Sequence, residues 1–282
     1  GDDMQEFSFI RLNELILLIY LFSIACYFYD FLKKHHRIKM IGFVSLGIVW
    51  MLQTVSLSLY VNVTKQIPLG NIFDVFFALA WLIISISIVI NVIKQINLSI
   101  FLFNMIGFLF IAINTFQPMH YQSTGEKLNI INELLIVHIS LAVISYALFA
   151  FAFVNCILYL IQYNNLKQKR FDQKYFRIGS VATLEQVVFY SSLIGFIFII
   201  LSIVLGAQWG FNTLGVNIII DPKVIMSSVI TLLYGIYLIF RVKKILTKHK
   251  LIYFNILLFC LSMINLFFAS HISDFHQWTG IY

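Results

Sequence analysis

Three histidines and one short acidic–basic pair offer the chain's most specific chemistry. His138 stands in 133–146, ELLIVHISLAVISY, about one turn inside a long apolar run. His271 and His276 stand in ASHISDFHQW, just past the last apolar run, with Asp274 between them. Between these sites in sequence lies 206–226, GAQWGFNTLGVNIIIDPKVIM, which holds the lone Trp209, the apolar run 218–220 and Asp221-Pro222-Lys223. An ionisable residue within an apolar span is costly and is a functional hypothesis by default. His138 is therefore either a neutral imidazole hydrogen-bonded to a neighbouring helix or a ligand. Two neutral imidazoles can fill both axial positions of a haem iron, and a flat apolar ligand of that kind suits 209–223. Zinc would ask for three or four closely placed ligands. Cys26, Cys156 and Cys260 each lie in an apolar run, where cysteine serves as a small core residue. Without C-x-x-C or C-x-x-C-H, no disulfide, thiol redox pair or covalently attached haem is expected. No Ser-His-Asp pattern, H-E-x-x-H or phosphate loop occurs, so no enzyme is expected.

The elements that position these residues follow from composition. The chain is 61% hydrophobic and 11% charged, against about 45–50% and about 25% for soluble domains. Its solvent is therefore lipid, and a spanning segment in lipid must satisfy its own backbone hydrogen bonds. The apolar runs do not alternate, which selects helices over a barrel. The fold expected is an all-α polytopic membrane protein, a single domain over 4–282, with eight spans at roughly 13–32, 40–61, 73–93, 98–115, 134–162, 186–206, 224–241 and 250–270. Gly1-Asp2-Asp3 ahead of Met4 reads as a vector-derived remnant.

The cationic residues divide the loops into two sets. Segments 33–39, Lys94, 163–184 and 241–250 carry fifteen of the nineteen Lys and Arg; Arg11, Lys65, Lys127 and Lys223 make up the rest. The positive-inside rule then places the basic set in the cytoplasm of a bacterium and both termini outside its plasma membrane. His138, 209–223, His271 and His276 all fall on the outer face by this count. The net charge of +7 sits in short loops rather than on one surface, so no nucleic-acid partner is expected. Within 163–184, Phe171, Tyr175 and Ile178 recur at helical spacing among Lys167, Lys169, Arg170, Lys174 and Arg177. Such a basic amphipathic stretch lies on the lipids of the inner leaflet or docks a soluble partner. His120 and Tyr121 in outer loop 116–133 read as surface residues. The sequence leaves the oligomeric state open.

At these residues the chain resembles the cytochrome c assembly superfamily of haem-handling membrane proteins (the CcsA/ResC/CcmC type), whose outer loop ends W-x-W-D-P-K-E. Gly206-Ala207-Gln208-Trp209, Leu214-Gly215 and Asp221-Pro222-Lys223 follow that loop, and Tyr234-Gly235-Ile236-Tyr237-Leu238 follows its Y-x-x-Y-L. The HemX branch is the nearest likeness. It is carried by His138-Ile139-Ser140, Ser145-Tyr146-Ala147-Leu148-Phe149, Leu184-Glu185-Gln186 and Ser273-Asp274-Phe275-His276, so it is specific over about 130–282 and topological before that. The resemblance implies a b-type haem held without covalent attachment. His138 would be one axial ligand and His276 the other, with His271 as rival. Trp209, Leu214, Ile218, Ile220, Asp221 and Lys223 would line the haem. Leu214, Ile218, Ile220 and Met226 stand where the assembly proteins carry tryptophan. They lose aromatic stacking worth about 0.5–1.5 kcal/mol per pair, which favours a sensing role over haem delivery. For the HemX branch the implied function is regulation of haem biosynthesis by limiting glutamyl-tRNA reductase, met through 163–184. The alternatives are a haem transporter or chaperone for cytochrome c assembly, and a scaffold that no longer binds haem.

Overall fold

Long apolar runs without internal proline give long helices, and the computed structural model, which describes residues 2–64, 72–94, 97–115 and 133–267, is helical nearly throughout. Its helices are α1 (Asp2–Lys33), α2 (His36–Thr64), α3 (Ile72–Lys94), α4 (Asn97–Thr115), α5 (Glu133–Lys167), α6 (Gln173–Ile178), α7 (Val181–Leu214), α8 (Pro222–Val242) and α9 (Lys248–Phe267). A 3-10 stretch, Gly215–Ile220, joins α7 to α8. Among the described residues, eight helices are long and apolar enough to cross a membrane.

Helices α5 and α7 outrun their expected spans. Helix α5 has 35 residues and α7 has 34, against expected spans of 134–162 and 186–206. Hydropathy measures the thickness of lipid, whereas a helix continues while its backbone ladder does. The segment 206–226 is correspondingly not a loop across a surface. Helix α7 carries Gly206 and Trp209 within it and ends at Leu214, where Gly215 takes φ 67° and returns its N–H to Phe211 O. Glycine is common in membrane helices, so Gly206 and Gly210 do not break this one. At its other end α7 is capped by Ser180, whose Oγ accepts from Thr183 N at 3.1 Å.

The chain forms two packing units. The first holds α1, α2, most of α3, α4 and α6. Helices in lipid gain little from burying apolar faces against one another, so close packing and polar contacts hold them. Asn104 on α4 supplies such a contact: it accepts from Tyr20 Oη of α1 at 2.6 Å and donates to Ser87 Oγ of α3 at 2.9 Å. Ser23 Oγ donates to the Gly42 carbonyl at 2.7 Å, joining α1 to α2.

The second unit holds α5, α7, α8 and α9. Ser145 Oγ on α5 donates to the Gly195 carbonyl on α7 at 2.7 Å. The Phe149 ring passes so close to Gly195 that a Cβ there would stand 2.7 Å from it. Phe149 then stacks on Tyr234 of α8, centroids 3.9 Å apart and planes within 7°. At the basic end, Glu185 of α7 is buried and takes two bonds from Arg241 of α8, at 2.9 and 3.0 Å. Arg241 also lies over the Phe189 ring, 4.2 Å from its centroid.

Two expectations change. The stretch 163–184 is not one amphipathic helix. Helix α5 runs on to Lys167, Lys169 turns at φ 55°, and α6 spans six residues, with Asp172 Oδ1 accepting from Tyr175 N at 2.9 Å. Phe171 precedes α6 and is exposed, whereas Ile178 is buried. Cys260 is exposed on α9, unlike the buried Cys26 and Cys156, so it is not a core residue.

Candidate functional site

His138 lies near the start of α5, facing α7. Its Nδ1 is 2.6 Å from the Ser202 carbonyl oxygen and 3.0 Å from Ser202 Oγ. Ser202 Oγ donates to the His138 carbonyl at 2.7 Å, so the two residues are tied through side chain and backbone. A helical carbonyl has two lone pairs and the helix uses one, leaving the other for an imidazole N–H. The access comes from Gly206, one turn further along α7. A Cβ at Gly206 would stand 2.5 Å from both Cε1 and Nδ1 of His138 and 3.1 Å from Cγ. The ring therefore lies against bare backbone, and a larger residue would push it off the Ser202 carbonyl.

This contact sets the tautomer. A carbonyl only accepts, so Nδ1 carries the proton and the lone pair resides on Nε2. Metal-binding histidines are held the same way, with one ring N–H on a backbone carbonyl or carboxylate and the other nitrogen on the metal. The structure shows the first sequence reading of His138, an imidazole hydrogen-bonded to a neighbouring helix; ligation would use the other ring nitrogen. His138 fits a haem iron's demand for an oriented imidazole at one position, and the histidines expected at the other lie outside the described residues.

Trp209 follows on α7 and is buried. Past the end of α7, Ile218 is buried in the 3-10 stretch while Ile220 is 72% exposed, so the aliphatic residues of 218–220 do not all shelter one surface of the protein. Leu214 closes α7.

Asp221 and Lys223 have structural work of their own. Asp221 caps α8, its Oδ1 accepting from Lys223 N at 2.9 Å and Val224 N at 3.3 Å, with Pro222 in the first turn where its missing N–H costs nothing. Lys223 is buried, and its Nζ donates to the Asn265 carbonyl at 2.8 Å, joining the start of α8 to the end of α9. Asn265 Nδ2 returns to Ser227 Oγ of α8 at 3.0 Å.

His271 and His276 lie outside the described residues, as do His120 and Tyr121. Among the described residues, no three His, Cys, Asp or Glu side chains come together as a metal site.

Sequence reasoning missed Ser202 and the part Gly206 plays. Their spacing was the available signal. Small residues four apart on a membrane helix mark a face that another helix approaches closely, and here the approaching group is the imidazole.

Residues 69–276 match the family described as cytochrome C assembly protein. Protein HemX of Bacillus subtilis (strain 168) is 35% identical over 276 residues, covering 98% of this chain and 100% of the relative. Protein HemX of Brevibacillus brevis is 30% identical over 267 residues, covering 94% and 97%. The likeness therefore reaches well ahead of 130, where the motifs alone did not carry it. His138, 206–226, His271 and His276 all lie within the matched range.

Proposed function

Because the chain belongs to the cytochrome C assembly protein family, we propose that it is a HemX-like membrane protein that binds haem non-covalently and regulates haem biosynthesis by limiting glutamyl-tRNA reductase. The observation that carries this is the His138 arrangement: an imidazole seated on the Ser202 carbonyl over Gly206, with its lone pair on Nε2. When bound, haem supplies an iron centre that takes up nitrogen ligands and a flat apolar face. His138 would be one residue to hold that iron, and His276, or its rival His271, the second. Trp209 and Ile218, both buried, would be the apolar side chains that exclude water from the ring. Asp221 and Lys223 fix the start of α8.

The Lys/Arg-rich loops face the cytoplasm of a bacterial plasma membrane and the histidine end faces outward, by the charge count. The segment 163–184 then meets the reductase on the inner side. Haem regulates only if it favours one helix arrangement over another; equal affinity for both would shift nothing. A haem carrier is the second reading. An apolar cleft of about 430 Å³ between α7 and α8, lined by Phe196, Ile200, Val204, Leu232 and Ile236, favours it as a lateral way in from lipid.

The test is the visible absorption spectrum of the purified protein on haem addition, for wild type and for His138→Ala, His271→Ala and His276→Ala. A low-spin spectrum lost in His138→Ala and in one of the other two supports the site and chooses the second ligand. No Soret shift in wild type refutes haem binding and leaves the scaffold reading. Reductase levels in cells carrying His138→Ala then separate regulation from carriage: they rise if haem occupancy is the signal.

A further inference from the structure

In the first unit a tight turn joins α1 to α2. Lys34 sits at φ 49° with its N–H on the Asp30 carbonyl at 2.7 Å, and His35 Nδ1 accepts from Ile38 N at 3.3 Å. This turn brings Lys34, His36 and Lys39 to one cavity of about 470 Å³, completed by Asp30, Phe31 and, from α6, Phe176 and Arg177. The volume falls in the range of small-ligand sites, about 300–1,000 Å³. Three cationic side chains stand against one carboxylate, so the cavity is net positive. Arg177 is already oriented, because one Nη1–H donates to the Phe31 carbonyl in the last turn of α1. A guanidinium has five donors, and one anchored donor aims the others.

Exposed apolar side chains adjoin it. Phe176, which lines the cavity, is 74% exposed, and Met40 and Ile41, which follow Lys39 on α2, are also exposed. The cavity lies between the ends of two candidate spans, Ile10–Lys33 and His36–Val63. A cationic cavity at a membrane edge, rimmed by exposed apolar side chains, matches an anion that carries its own hydrocarbon. We propose that it binds the phosphate group of an anionic phospholipid headgroup, with Lys34 and Arg177 on the phosphate and Phe176 beside the acyl chains. The same chemistry would accept a free phosphate, and the experiment separates the two sources. This site is independent of the haem proposal.

The full chain, purified in detergent, is titrated with phosphatidylglycerol, with phosphatidylcholine and with inorganic phosphate. Bound lipid is counted by native mass spectrometry and protection is read by thermal melting. Each cation near a lipid phosphate is worth about fivefold in affinity, so Lys34→Gln/Arg177→Gln should lose about thirtyfold toward phosphatidylglycerol. Lys167→Gln, which removes a cation outside the cavity, should lose nothing. Lys34→Gln alone, at an exposed turn residue, should lose about fivefold with unchanged melting in phosphatidylcholine, which keeps the test valid if the double variant fails to fold. Protection by inorganic phosphate that is lost in the same variants supports the site and assigns it a soluble ligand. Phosphatidylglycerol bound no better than phosphatidylcholine, together with no phosphate effect, overturns the proposal. Equal losses in Lys167→Gln and Lys34→Gln overturn it too, because that is general surface charge.

Discussion

Gly206→Ala tests whether bare backbone is what seats His138. The added methyl would sit 2.5 Å from Cε1 and Nδ1, whereas carbon atoms rest at about 3.5–4.0 Å. The ring must withdraw by about 1 Å or more. Nδ1 now stands 2.6 Å from the Ser202 oxygen, and a retreat of that size takes it past about 3.5 Å, where the hydrogen bond is lost. Overpacking costs about 1–3 kcal/mol and the lost bond about 1 kcal/mol. Alanine regains about 1 kcal/mol over glycine in a helix interior. The net destabilisation is about 1–3 kcal/mol, small enough that the protein still folds. Losing the group that orients a ligating histidine typically weakens metal binding about 10–100-fold. Haem titration followed at the Soret band, beside thermal melting of the same samples, should show that loss with only modest destabilisation. Ser202→Ala is the control: it removes the hydroxyl but keeps the carbonyl, and should change haem affinity by less than about threefold. Wild-type affinity and an unchanged spectrum in Gly206→Ala would refute the idea that the Ser202 carbonyl positions the imidazole.

At the basic end the Glu185–Arg241 pair should respond asymmetrically. Glu185 is 2% exposed and Arg241 20% exposed. Arg241→Ala strands a buried carboxylate whose other cation, Lys248, stands 3.7 Å away, at a cost of about 2–4 kcal/mol. Glu185→Ala leaves an arginine that reaches water and should cost less; thermal melting in detergent ranks the two, and the reverse order would disprove this account. Asp221→Ala removes the cap of α8 and should cost about 0.5–2 kcal/mol by the same measurement, while Asp221→Asn, which keeps an accepting oxygen, should cost less than half of that.

Much of the fold could be read from composition, because lipid leaves a chain few options. Eight apolar runs of spanning length became eight candidate spans. Helix ends were less legible. Glu133 and Lys167 bound α5 beyond any apolar run, since hydrogen bonding inside a helix does not stop where lipid does. The same physics misled at Gly206, a flexible residue in a peptide and a packing surface in a bundle. His138 could be found by its cost alone. Its partner could not, because the accepting group is a backbone carbonyl, which every residue has. Asp221 and Lys223 were found as a motif, but a motif does not tell a cap and a helix tie from a ligand contact.

Helix α5 has a mechanical consequence. It is one unbroken helix of 35 residues, about 52 Å long, and exceeds the hydrocarbon thickness of about 30 Å by several turns. Its first turns carry His138 and its last residue is Lys167, about 44 Å apart along the axis. A stiff beam of that length has leverage: pivoting by about 5° at one end swings the other by about 4 Å. An event at the imidazole therefore needs no relay of side chains to be felt at the far membrane face. Because α7 lies alongside and shares the Ser202 and Gly195 ties, the two helices would swing as a pair.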